Sequence, residues 1–349
     1  MDNFFIEFRD PLFSIIIFFA IIFMITFLSY WWGRYKTKED SKHLDEFLRQ
    51  FRALPSKNEL KILISSGELS KKAWLLLAAS YVKSGDFEKA IEIYQEMLKS
   101  SNGVSKKETL FLLGKVYFKA GFLERSKKIF LEILKNAPRT PLALRYLLLV
   151  YESMRDYKAA LEVLEPLEAL NSEIAKDEAY LKSLSLLNSS SLSALQKADK
   201  LLEIYQNSYR LTYLTFEFLF RVNPKLAWEN FDSSRSELLT DVLWSLDSKD
   251  LNLDIIAKNS HLRELYSARG DVDLASESST FEFNVLMNLK PESVNATLNF
   301  EYVCSACKQR YPFPFNRCTG CHEIDSLKVE WRLTKDYRKD FSKEYNSFQ

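Results

Sequence analysis

One internal order of residues recurs three times in the middle of the chain, and it constrains the fold more than any other feature. The first copy runs Trp74, Ala78, Tyr81, Gly85-Asp86-Phe87, Ala90 and Tyr94. The second runs Leu110, Gly114, Tyr117, Gly121-Phe122-Leu123, Ser126, Phe130 and Pro138. The third runs Leu144, Leu147, Tyr151, Asp156-Tyr157, Ala160 and Leu164. Tyr81 and Tyr117 are 36 residues apart, and Tyr117 and Tyr151 are 34 apart. Each copy reads as two amphipathic helices joined by a tight turn. The small residues Ala78 and Gly114 mark where paired helices touch. Large aromatics fill the space between neighbouring hairpins. No hairpin of this kind buries its apolar face alone, so the units must stack.

The period and the order of small and aromatic positions are similar to the tetratricopeptide pattern. Composition agrees with a mostly α chain: there are only 8 Gly and 9 Pro among 349 residues, against roughly 24 and 17 at average usage. Flanking segments are weaker copies. Leu44, Phe47, Leu48, Phe51 and Leu54 form an apolar stripe, with residues 59–64 as the partner helix. Downstream, helices are expected over Ala179–Leu187, Leu195–Tyr205, Thr212–Val222, Leu226–Phe231, Leu238–Leu246, Leu251–Ala257 and His261–Arg269. Gly270-Asp271 repeats the turn at Gly85-Asp86. The array is expected over residues 71–290, preceded by a linker and degenerate first repeat over 34–70.

Such an array implies binding rather than chemistry. Its first helices line a concave face, and on that frame Lys72, Lys83, Lys115, Lys119 and Arg145 point into it. A basic groove suits an acidic peptide segment or a free carboxylate. A merely solvated surface would carry the same lysines. No enzyme signature is present. No two glycines are spaced for a phosphate-binding or nucleophile-elbow motif, and His43, His261 and His322 are far apart. Lys+Arg is 48 and Asp+Glu is 47, so no global basic field draws in nucleic acid.

The N-terminus carries PLFSIIIFFAIIFMITFLSYWW, an uncharged run of 22 residues from Pro11 to Trp32. About 20 apolar residues cross a bilayer core, so residues 1–33 read as a single-pass anchor. Asp2, Glu7 and Asp10 precede the run, and Arg34, Lys36, Lys38 and Lys42 come after it. That asymmetry places the bulk of the chain in the cytoplasm. A cleaved signal peptide would need a basic start and a small-residue cleavage site, and neither is present.

All four cysteines fall within 18 residues: Cys304 and Cys307, then ten residues, then Cys318 and Cys321. Two C-x2-C knuckles have the spacing of a tetrahedral four-thiolate site. Alternating segments flank them, Leu298–Val303 before and Leu327–Leu333 after, so residues 298–333 read as strand, knuckle, loop, knuckle, strand. That order is a zinc ribbon or rubredoxin-like unit, with a tail over 334–349 behind it. Zinc and iron share the spacing. Four thiolates leave no open position, so one structural metal ion is expected. Losing the metal is expected to melt the ribbon and to spare the helical array.

Together these parts resemble the lipopolysaccharide assembly protein B family over residues 10–333. The resemblance implies an inner-membrane regulator of lipid A synthesis with no activity of its own. It implies three partners: the lipid A pathway deacetylase, a membrane-anchored AAA+ protease that degrades it, and the lipopolysaccharide transport machinery. It also implies metal ligands at Cys304, Cys307, Cys318 and Cys321. The chain departs from the family pattern at Lys308, where a Gly follows the first knuckle, and at Thr319, where a Pro follows the third cysteine. Asn316 and Arg317 stand where an aromatic precedes that cysteine. A static scaffold that gathers envelope-synthesis enzymes without changing their lifetime is the competing reading.

Overall fold

The computed structural model describes residues 18–19, 21–28, 62–64, 70–99, 103–289 and 296–335. The linker repeat over 34–70 lies mostly outside them, and the tail from 336 lies wholly outside. Residues 18–19 and 21–28 are helical. Phe18, Phe19, Ile21, Phe23, Met24 and Leu28 there expose their apolar side chains. Among the described residues no helix is long and apolar enough to cross a membrane. The remaining residues of the expected anchor lie outside the described set.

The chain divides into two compact units at Val150/Tyr151. The first holds α1 (Lys71–Ser84), α2 (Phe87–Lys99), α3 (Gly103–Lys119), α4 (Leu123–Asn136) and most of α5 (Pro141–Ser153). Ser70 starts α1 by accepting from the Ala73 N–H, which satisfies an orphan donor. Gly85 ends it at φ 83, a left-handed conformation that lacks a Cβ clash. The Asp86 N–H then returns to the Tyr81 carbonyl at 2.9 Å. This is the six-to-one bond of a Schellman cap.

The same bond closes each copy of the repeat. It runs from Phe122 to Tyr117 at 2.8 Å, from Asp156 to Tyr151 at 2.9 Å and from Asp271 to Tyr266 at 3.0 Å. The recurring tyrosine is thus also the carbonyl that stops the first helix. Packing keeps the expected order. Trp74, Leu77 and Ala78 of α1 meet Ala90, Ile93 and Tyr94 of α2 and Leu113 and Tyr117 of α3. A Cβ on Gly114 would lie 2.9 Å from the Phe130 ring, and the Ser126 hydroxyl donates to the Gly114 carbonyl at 2.9 Å. Only a bare α-carbon permits that approach of α3 to α4. Tyr146 closes the stack, its ring 5.5 Å from Phe130 and 5.4 Å from Phe111.

The second unit is less regular. The third repeat was expected to carry one helix through Ala160 and Leu164. Instead α6 (Tyr157–Glu162) breaks at Val163 before α7 (Leu164–Glu168). Pro166 explains the break: its ring cannot tolerate the helical carbonyl of Glu162, and it brings no N–H. Next come α8 (Ala175–Asn188) and α9 (Ala194–Asn207), the latter started by a Ser193/Gln196 capping box. After them stand α10 (Thr212–Val222) and α11 (Pro224–Asn230). The single helix expected over Leu238–Leu246 is a 3-10 turn, Ser233–Leu239, joined to a short α12 (Thr240–Trp244). Here Asp232 caps early and accepts from the Ser234 N–H. Asn252 caps α13 (Leu253–Lys258), moving its start from the expected Leu251. Last are α14 (Ser260–Arg269) and α15 (Phe281–Leu289). Leu274 and Ala275 do not begin a helix, because both N–H groups donate to the Ser267 hydroxyl.

A three-stranded antiparallel sheet completes this unit, in the order β2 (Arg310–Tyr311), β1 (Ala296–Cys304), β3 (Leu327–Lys335). Leu298, Tyr302, Leu327 and Val329 of the sheet lie in one apolar core with Phe216, Phe220, Trp228, Leu265, Tyr266 and Phe283 of the helices. Trp331 stacks on Phe283 with centroids 5.6 Å apart and planes 6° apart. The ribbon therefore packs on its neighbouring helices, and both close the same core.

Candidate metal centre

Cys304 is the last residue of β1, and Leu327 opposite it begins β3. The two knuckles are built alike. In the first, the Lys308 N–H donates to the Cys304 carbonyl at 2.8 Å, and the Cys304 N–H donates to the Gln309 carbonyl at 2.9 Å. In the second, His322 donates to Cys318 at 2.8 Å and Cys318 to Glu323 at 2.9 Å. Lys308 and His322 adopt left-handed φ values of 63° and 64°. These are the positions where a glycine would fit without strain.

The folded knuckles bring Cys304, Cys307, Cys318 and Cys321 together, with all four sulfurs within 4.8 Å of one another. Cys304 and Cys321 sulfurs are 3.6 Å apart, as are those of Cys307 and Cys318. Zinc–sulfur bonds of about 2.3 Å at tetrahedral angles place sulfurs about 3.8 Å apart. The donor set therefore fits one tetrahedral ion, and sulfur-only ligation suits zinc or iron. Cys304 and Cys318 are buried, and Cys307 and Cys321 are exposed. Burial pushes the Cys304 thiol up. The Cys307 N–H and the Ser326 hydroxyl, 3.3 Å away, outweigh it and hold the thiol at about 6. Burial likewise opposes ionisation of Cys318, yet the Tyr311 hydroxyl, 3.1 Å from its sulfur, helps hold it below the usual thiol value. The donors around both buried sulfurs favour the thiolate, the form that ligates metal. The His322 carbonyl accepts from Arg317 Nη1 at 3.0 Å.

The second knuckle is docked on the helices, and no motif in the sequence announced it. Arg317 Nε lies 2.8 Å from Glu152 Oε2, and its Nη2 lies 3.1 Å from Asp177 Oδ1. The guanidinium sits over the Tyr180 ring, 5.0 Å from the centroid. All three charged side chains are nearly buried, at 11%, 14% and 10% exposure for Arg317, Glu152 and Asp177. Burial pushes the Glu152 carboxyl up while Arg317 pulls it down. Removing one member of such a buried cluster typically costs about 3–5 kcal/mol. Beyond it, Lys176 pairs with Glu323 at 2.7 Å, and Ile324 packs with Ala179, Tyr180, Leu211 and Leu214. A second polar tie links β1 to the helices. Asp241 Oδ2 accepts from Tyr213 at 2.6 Å and from Tyr302 at 2.8 Å.

The expected groove residues occupy α1, α3 and α5. Lys72, Lys83 and Lys119 are exposed, and Lys115 and Arg145 are half-buried. Lys83 and Lys119 sit in the last turns of their helices, where the helix dipole favours a cation. Lys115 lies over the Tyr146 ring at 5.3 Å and the Phe111 ring at 5.8 Å. These positions place three of the five on open helix surface and give Lys115 an aromatic seat.

Comparison with known proteins gives the class. Residues 72–102 match the PPR repeat family, and residues 111–172 match the tetratricopeptide repeat family. No curated protein matches the chain. Among solved structures, "MamA 41-end from Desulfovibrio magneticus RS-1" is similar over 46% of this chain and 90% of that one, at 20% identity and a TM-score of 0.35. The chain is a helical-repeat protein of the tetratricopeptide type, with a four-cysteine ribbon built into its later helices. Repeats of this type imply a protein-interaction scaffold or adaptor role.

Proposed function

We propose that this protein is a non-enzymatic adaptor held at the inner membrane, which promotes turnover of the lipid A pathway deacetylase by a membrane-anchored AAA+ protease. The reading is supported by the union of an interaction array with a four-thiolate ribbon behind an uncharged run of 22 residues. That order is shared with the lipopolysaccharide assembly protein B family. The exposed apolar helix residues at 18–19 and 21–28 suit a bilayer better than water. Confinement to a membrane raises the effective concentration of a membrane-bound partner, which gives the anchor a purpose in such an adaptor. Components of lipopolysaccharide transport are further partners on this reading.

Depletion of the protein in its host tests the proposal. The half-life of the deacetylase after a translation block should lengthen. An unchanged half-life would leave a static scaffold as the better account.

A further inference from the structure

The two knuckles share a backbone design and differ in their surroundings. The first faces outward, with Cys307 and Lys308 exposed. The second, residues 317–325, is the part of the ribbon that grips the helices. Arg317 adjoins the ligand Cys318, and its guanidinium reaches in three directions: to Glu152 at the end of α5, to Asp177 in α8, and back to the His322 carbonyl at 3.0 Å. That last bond ties the guanidinium to its own knuckle. The loop closed by Cys318 and Cys321 therefore sets where the guanidinium sits. The two carboxylates it joins are 25 residues apart in sequence, at the end of α5 and in α8. Each is nearly buried, and Arg317 is the cation they share.

We propose that the second knuckle is a metal-dependent clamp, in which four-thiolate coordination fixes Arg317 and so holds Glu152 and Asp177, making the order of residues 151–188 depend on the ribbon's metal. The physical basis is a shared route: Arg317, Glu323 and Ile324 all reach α8 from that loop. A C-x2-C loop of this size draws its order from its metal, and the buried ion pairs reach the helices through that loop. The clamp rests on the metal reading of the four cysteines and not on the identity of any partner.

Amide hydrogen exchange on the full-length chain in detergent micelles tests it, comparing zinc-loaded protein with protein stripped by a chelator. Stripping should speed exchange in 175–188 about ten-fold or more, together with 317–325, and leave 71–99 unchanged. Arg317→Met should loosen 175–188 in the same way while zinc stoichiometry stays at one per chain. Arg317→Lys keeps the charge but cannot span both carboxylates, so it should fall between, and it decides the matter if the methionine variant does not fold. The clamp is overturned if stripping loosens only 296–335, or if zinc-loaded Arg317→Lys exchanges like wild type across 151–188.

Discussion

The first hairpin turns and the region beyond them use the same cap to different ends. At Tyr81 and Tyr117 the capped turn returns the chain into a full second helix that packs on the first, and the next hairpin covers both. At Tyr266 the same cap forms, with Gly270 left-handed and Asp271 bonded back. The chain then runs through an irregular segment into the short α15, and the sheet covers this core instead. The apolar faces of the degenerate repeats answer to β1 and β3, so they have no reason to keep the spacing that stacking on another hairpin demands.

That contrast can be broken most sharply with two large truncations. Phe130 and Phe283 are both fully buried, so changing either to Ala should cost about 3–5 kcal/mol. Phe283→Ala should also weaken metal retention, measured by competition with a chelator, because its ring supports Trp331. Phe130→Ala should leave metal retention at the wild-type value. Equal loss in both variants would erase the distinction drawn between the two regions.

A smaller effect probes the close approach in the regular region. Gly114→Val places a branched side chain where even a Cβ meets the Phe130 ring at 2.9 Å. Overpacking of this kind costs about 1–3 kcal/mol, readable as a lower denaturant midpoint.

The polar tie at Asp241 has a pH signature. Burial holds its carboxyl above the usual value despite the donors Tyr213 and Tyr302. A raised acid binds its proton more tightly in the folded chain than in the unfolded one. Its contribution to stability is then greatest below the unfolded value near 4 and declines as pH rises toward the folded value. Asp241→Asn removes that decline. In denaturant titrations the variant should therefore gain on wild type from pH 4 to pH 7. A gap independent of pH would show that Asp241 does not titrate in this window.

The smallest effect is a gain. Arg155 occupies, at φ 61, the left-handed position that Gly85 and Gly121 fill in the earlier copies. Arg155→Gly should relieve that strain and raise stability by about 0.5–1 kcal/mol, seen as a small rise in Tm.

Much of the regular region was legible in the sequence because its contacts are local and periodic. Trp74, Ala78, Tyr81 and Gly85 announce one hairpin, and their counterparts announce the next. The cysteine spacing and the alternation around it located the ribbon, and the strands run one or two residues beyond the expected ends. Periodicity carried no information about the surface on which the ribbon rests. Arg317 meets Glu152 across 165 residues and Asp177 across 140, and Tyr302 meets Asp241 across 61. Pairs at such separations leave no local pattern. Arg317 stood out only as a departure from the pattern of the family the sequence resembles, and its reason lies in two carboxylates on distant helices. The helix boundaries at Pro166, Asp232 and Asn252 were open to closer reading, since each carries its own breaking or capping chemistry.

The central claim is that the ribbon and the helices beneath it form one cooperative structure. Denaturation of the cobalt-substituted protein tests it directly, with the cobalt–thiolate absorption band and amide protection across 212–289 measured on the same samples. Shared core residues predict coincident transitions, the band and the protection vanishing at one denaturant concentration. Loss of the band while 212–289 stays protected would contradict the account and return the ribbon to the status of a separate appendage.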